Sequence, residues 1–366
     1  MTIRSVAGLA EAGLIDESDR VALERVAGQY AVALTPAILA AIDVSDPADP
    51  IARQFVPSAD ELVMAPDELA DPIGDEAHSP VRGIVHRYPD RVLLKLLHVC
   101  PVYCRFCFRR EMVGPGEDAA LSRGDTEAAL AYIASTPAIW EVIFTGGDPF
   151  LLSPKRLAEI MRRLDEIPHV RVVRFHTRVP AVDPERVTAD LTAAIRVSGK
   201  AVYVALHANH ARELSPDARA ACGRLVDAGI PMLGQTVLLR GVNDTPAELE
   251  ALMRALVETR IKPYYLHHAD LAPGTGHMRT SIAAGQQLVG SLRGHVSGLC
   301  QPTYVLDLPG GYGKVALAAP VRSADDGRYE FHDRDGVCHT YRDTAEQGDS
   351  GSGSPSPETA SGLAES

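Results

Sequence analysis

From Arg91 onward the chain alternates short apolar, β-branched runs with longer amphipathic stretches, and this alternation restricts its possible folds more than any other feature. The candidate strands are residues 92–97, 141–145, 170–175, 201–207, 232–239 and 261–267. Helical segments lie between them: 154–167, with Leu157, Ile160, Met161 and Leu164 on one face, then 183–198, 215–228 and 245–259. Strands separated by crossover helices pair in parallel, so the pattern predicts an α/β fold, a partial (βα)6 barrel of the TIM type over residues 86–300. Residues 1–85 read as an N-terminal helical cap, with helical spacing over 18–26 and breaks at Pro36 and Pro47. Two further runs, 303–308 and 314–317, flank a glycine-rich turn and are expected to form a short C-terminal extension over 301–343 that closes the barrel. Residues 344–366 are rich in Gly, Ser, Pro and Glu and read as a disordered tail.

In such barrels the chemistry gathers at the C-terminal ends of the strands. There the sequence puts Gly146-Gly147-Asp148, His176, His207, Gln235, the 267–270 cluster ending in Asp270, and a run of cysteines. Cys100, Cys104 and Cys107 follow the first strand in a C-x3-C-x2-C spacing. Iron–sulfur clusters ordinarily take four cysteines, so three thiolates leave one iron of a four-iron cluster open to a substrate or cosubstrate. A zinc site completed by His98 is the first alternative, although no second Cys/His pair with zinc-like spacing follows. Buried core thiols are the second, and Arg105, Arg109 and Arg110 among the cysteines count against it. Lys314 ends the glycine turn at 309–313. A nucleotide phosphate loop would need glycine in place of Leu308 and a hydroxyl in place of Val315, so two readings remain: a constrained amine able to condense with a carbonyl, and a solvated lysine after a plain turn.

A formal net charge of -12 argues against nucleic acid or an anionic membrane as the main partner. No apolar stretch approaches the roughly 18 residues of a membrane span, and the first residues lack the apolar core of a signal peptide, so a cytoplasmic protein is expected. Six cysteines, three of them clustered, suit a reducing compartment, with Cys222, Cys300 and Cys338 expected as buried small apolar residues.

The cysteine run and six further segments, HRYPDR at 86–91, TGGD at 145–148, QTVLLRGVND at 235–244, PYYL at 263–266, LRGHVSG at 292–298 and PGGYGK at 309–314, resemble lysine 2,3-aminomutases of the radical S-adenosylmethionine superfamily, in the same order. The resemblance spans about residues 80 to 342 and implies an isomerase that interconverts L-lysine and β-lysine by 1,2-amino migration. It implies a [4Fe-4S] cluster on Cys100, Cys104 and Cys107, with S-adenosyl-L-methionine on the open iron, contacted by Gly146, Gly147, Asp148, His207 and Gln235. It further implies pyridoxal 5′-phosphate on Lys314, its phosphate on Arg87 and Arg91 and its ring near Tyr88. Arg109 matches the family's arginine for the substrate α-carboxylate, and Asp270 and Asp307 match its aspartates for the distal ammonium. Taken as residues alone, Arg87 and Arg91 fit an ion pair with Asp90, Gly146-Gly147-Asp148 fits a turn, Asp270 a helix cap and Asp307 a strand-end turn.

Two carboxylates at the distal end favour a cationic side chain, lysine first and arginine second, because they repel a γ-carboxylate. The family also implies an electron donor such as flavodoxin or ferredoxin. In length the chain resembles relatives that make β-lysine for elongation factor P. One departure stands out: the family's zinc site draws on C-terminal cysteines and on the position of Thr245, whereas here no cysteine follows Cys338. No zinc is therefore expected, and a homo-oligomer is left open. The remaining reading from a different class is a non-catalytic, zinc-stabilised binding module.

Overall fold

The computed structural model describes residues 1–114, 119–317, 322–323, 328–332 and 337–342. The chain divides into two compact units, Met1–Ala319 and Pro320–Ser366. The first unit carries a nine-stranded sheet in strict chain order: β1 (Ile84–Tyr88), β2 (Arg91–Leu97), β3 (Glu141–Gly146), β4 (Val172–Thr177), β5 (Ala201–His207), β6 (Met232–Leu238), β7 (Ile261–His268), β8 (Thr303–Leu308) and β9 (Gly313–Ala316). Strands β2 to β8 are parallel, while β1 and β9 run antiparallel at the two edges. The result is a nearly closed partial barrel.

Each helical crossover follows from local sequence. The helix Pro154–Asp165 starts at Ser153, whose side chain accepts from the Arg156 amide, and buries the expected face of Leu157, Ile160, Met161 and Leu164. Pro216–Asp227 and Pro246–Glu258 begin the same way, a hydroxyl N-cap followed by proline at the first helical turn. Thr245 is the cap of the latter, accepting from the Glu248 amide. The helix expected over 183–198 is shorter: Pro184 confines Pro184–Arg186 to a single 3-10 turn, and Thr188 caps a fresh helix at Ala189–Ile195.

The run 303–308, assigned from sequence to a C-terminal extension, is instead a seventh parallel strand reached by a sixth crossover, Ile282–Leu292. Gly285 and Gly290 blur the helical pattern there. Gly285 is required by packing, since a Cβ would lie 2.0 Å from the Tyr304 hydroxyl on β8. In the second unit Arg322–Ser323, Arg328–His332 and Cys338–Arg342 form an antiparallel sheet. Cys222 and Cys300 are buried as expected, but Cys338 is exposed, because among the described residues of that unit the three-stranded sheet has no second layer to cover it. The tail at 344–366 lies outside the described residues. No described helix is long and apolar enough to cross a membrane.

The N-terminal residues reach the barrel through a buried carboxylate. Glu61 accepts from Arg105 Nε at 2.9 Å and Nη2 at 2.6 Å, from Arg110 Nη2, and from the Ser58 amide at 2.9 Å. Burial pushes the Glu61 carboxyl up, yet the two guanidinium groups outweigh it and hold it below the usual range. Removing one member of such a buried cluster leaves uncompensated charges, so Glu61→Ala should cost about 3–5 kcal/mol. Urea denaturation of the cofactor-free protein measures this, and wild-type stability would contradict the role given to Glu61.

Candidate active site

The C-terminal ends of the parallel strands and the β8–β9 hairpin enclose a cavity of about 380 Å³. Lining it are Cys100, Cys104, Cys107, Arg87, Tyr88, Arg91, Arg109, Gly146, Gly147, Asp148, His207, Gln235, Asp270, Asp307 and Lys314. Every site residue singled out in the sequence thus meets in one place. His98, the alternative zinc ligand, does not line it.

The cysteine loop is stitched to β3 by backbone. The Gly147 amide donates to Leu97 O at 2.6 Å and the Asp148 amide to Val99 O at 2.9 Å. A Cβ on Gly147 would lie 2.2 Å from Val99 O, and Gly146 has φ +100°, so both glycines are demanded by the approach of the loop. Asp148 is an anchor: its carboxylate accepts from the Thr177 hydroxyl at 2.7 Å and from the amides of Phe150, Arg178 and Val179 at 3.0, 2.7 and 3.2 Å. The thiols are partly buried in the cavity wall, and desolvation raises all three and takes Cys104 to about 11, with Arg178 nearby drawing Cys104 the other way. Among the described residues no three Cys, His, Asp or Glu side chains are gathered to share one metal ion. His176 Nε2, His207 Nε2 and Gln235 Oε1 are buried at the cavity wall without hydrogen-bond partners. Such orphaned atoms call for a polar ligand, and the donor set fits a cluster with S-adenosylmethionine beside it.

On the opposite wall, Tyr88 OH on β1 accepts from the Lys314 amide on β9 at 2.8 Å, joining the two edge strands. Gly313, with φ +93°, permits this, since a Cβ would sit 3.1 Å from that hydroxyl. Lys314 Nζ donates to Asp307 Oδ1 at 2.7 Å, and His267 Nδ1 lies 3.3 Å from Asp307 Oδ2. His267 Nε2 in turn is 3.0 Å from Gln235 Nε2, so a polar chain crosses the cavity from Gln235 to Lys314. Burial pushes Asp307 up, but His267 and Lys314 hold it far below the ordinary carboxylate range. Asp270 is the reverse: burial, then the neighbouring Asp307, raises it to about 7. Arg91 forms the ion pair with Asp90 at 2.8 Å and stacks on the Tyr88 ring at 3.8 Å, whereas Arg87 pairs with Asp75 at 2.9 Å. The two arginines expected on one phosphate are therefore held by different carboxylates.

Sequence reading missed Glu61, Asp75 and Arg178. The first two carry no motif, and long-range ion pairs leave no spacing signal. His267 was legible only as a polar residue at a strand end.

The Radical SAM superfamily family model matches residues 94–256, and the Lysine-2,3-aminomutase model matches residues 289–358. The L-lysine 2,3-aminomutase of Acetoanaerobium sticklandii is 42% identical over 311 residues, 85% of this chain and 75% of that protein. That of Clostridium subterminale is 40% identical over 85% of this chain and 74% of its own length. The chain belongs to the lysine 2,3-aminomutase family. It is an aminomutase of the radical SAM superfamily, and membership implies a [4Fe-4S] cluster, S-adenosylmethionine and, from the aminomutase branch, pyridoxal phosphate. The family also holds a glutamate 2,3-aminomutase from Clostridioides difficile, 34% identical over 86% of this chain and 74% of that protein.

The backbone stitch generates a test. Gly147→Ala should displace the cysteine loop, destabilise the protein by about 1–3 kcal/mol and leave anaerobically reconstituted protein with little iron. Thermal unfolding and iron analysis check both, and full iron content with wild-type stability would contradict the geometry.

Proposed function

We propose that this aminomutase converts L-lysine to β-lysine. The observation that carries the reading is the placement of Asp270, a carboxylate raised to about 7 by burial and the neighbouring Asp307, in the same cavity as Arg109. Arg109 suits an α-carboxylate, and Asp270 with Asp307 suits an ammonium at the far end of the side chain. A glutamate side chain would add a third carboxylate beside these two. When bound, the cluster with S-adenosylmethionine supplies hydrogen-atom abstraction, and pyridoxal phosphate supplies the carbonyl that carries the migrating nitrogen.

The chain's own residues account for the rest. Cys100, Cys104 and Cys107 hold three irons, and His207 and Gln235 present polar atoms beside them. Arg87 and Arg91 offer guanidinium groups to a phosphate, and Lys314 is the amine for the aldehyde. Asp307 holds that amine in place through its 2.7 Å hydrogen bond.

Borohydride treatment of the pyridoxal-loaded protein should place the pyridoxyl label on Lys314, and peptide mapping that finds it on Lys95 or Lys262 would refute the assignment. Turnover of L-lysine, L-arginine and L-glutamate under anaerobic, reducing conditions tests the substrate: lysine should be preferred, and preference for glutamate would overturn the charge argument. Binding a cation needs Asp270 ionised. Below pH about 7 the group is protonated, so KM for lysine should rise about tenfold per pH unit on the acid side and level off above. Asp270→Asn should flatten that dependence and lower kcat/KM roughly 30-fold to several thousand-fold. An unchanged pH profile in the variant would remove Asp270 from the substrate site.

A further inference from the structure

Asp75 stands in no motif, yet three cations converge on it. Its Oδ2 accepts from Arg109 Nε at 3.0 Å and Nη2 at 2.9 Å, its Oδ1 accepts from Arg87 Nη2 at 2.9 Å, and Lys95 Nζ lies 3.8 Å away. The side chain is 3% exposed. Its backbone is fixed on both sides. Asp71 accepts from the amides of Asp75 and Glu76 at 2.9 and 2.8 Å. Gly74, at φ +68°, rests on the turn before Lys314, where a Cβ would lie 2.6 Å from the Gly311 amide nitrogen. The segment is therefore seated against the hairpin that carries the lysine.

A guanidinium presents two edges to a carboxylate. Asp75 occupies the Nε/Nη2 edge of Arg109, which leaves the edge bearing Nη1 for another anion, and Arg109 lines the cavity. We propose that Asp75 is a positioning residue that aims the Arg109 fork at the substrate carboxylate and, by holding Arg87 on its other oxygen, fixes the distance between the substrate-carboxylate and cofactor-phosphate seats. This rests on the roles given to Arg109 and Arg87 above. Three buried cations without Asp75 would repel one another and splay. With it, the cluster keeps a positive surplus that still draws two anions. The groups facing Asp75 are Arg87, Lys95 and Arg109, with Asp71 and Glu76 acting on Lys95 from the same segment.

The test compares Asp75→Asn, Asp75→Glu, Arg109→Gln and the double variant Asp75→Asn/Arg109→Gln. Lysine binding is read without turnover, by titrating cofactor-loaded, unreduced protein and following the pyridoxal absorbance, and then by KM and kcat. Asp75→Asn should weaken lysine binding about tenfold to a hundredfold with kcat changed less than about threefold. Asp75→Glu keeps the charge and the fold but shifts the fork by one methylene, so it should weaken lysine binding while melting like wild type. The double variant should bind lysine no worse than Arg109→Gln alone, since Asp75 acts through Arg109. Should Asp75→Asn fail to load cofactor, Asp75→Glu decides. Wild-type lysine binding in Asp75→Glu, or additive losses in the double variant, would overturn the proposal. Wild-type binding in Arg109→Gln would instead overturn the reading of Arg109 on which it stands.

Discussion

The loop that carries the three cysteines also carries three buried arginines, and its burial depends on carboxylates brought from elsewhere in the chain. Arg105 and Arg110 share Glu61, and Arg109 pairs with Asp75, all with side chains at 10% exposure or less. Guanidinium groups enclosed without counter-charges would cost several kcal/mol each. The N-terminal residues are therefore part of the site. They set where the loop sits, and the loop sets one wall of the cavity.

The opposite wall depends on a different device. The sheet ends in antiparallel strands at both edges, and unpaired edges are a liability. Side chains answer it here: Tyr88 reaches from β1 to the Lys314 amide, and Arg87 lies 3.9 Å from Asp307. Each of those four residues also lines the cavity. Closure of the barrel and construction of the site are one set of contacts.

How much of this was legible in the sequence follows from the range of each interaction. Strand and helix periodicity is local, so the parallel strands and the buried face of Leu157, Ile160, Met161 and Leu164 could be read directly. Glycine constraints were legible as motifs, though the reason for Gly146 and Gly147 was not: the atoms that forbid a side chain belong to Leu97 and Val99. Gly285 is explained in the same way, since Tyr304 dictates it and local propensity alone argues against a helix there. Glu61 and Asp75 were invisible, because their partners lie 44 and 34 positions away. The split of the 183–198 helix was written in Pro184 and was outweighed by the apolar spacing around it.

The bond from Tyr88 to Lys314 spans 226 positions. Closing a loop of that length costs about 5 kcal/mol of chain entropy before any contact repays it, and topologies dominated by distant pairings fold slowly. During synthesis the residue that Tyr88 bonds leaves the ribosome only after nearly the whole barrel. A nascent chain ending before β9 has its cysteines but neither the lysine nor the partner that holds β1. The three cysteines and Lys314 therefore come into existence at different times, at opposite ends of the barrel sequence.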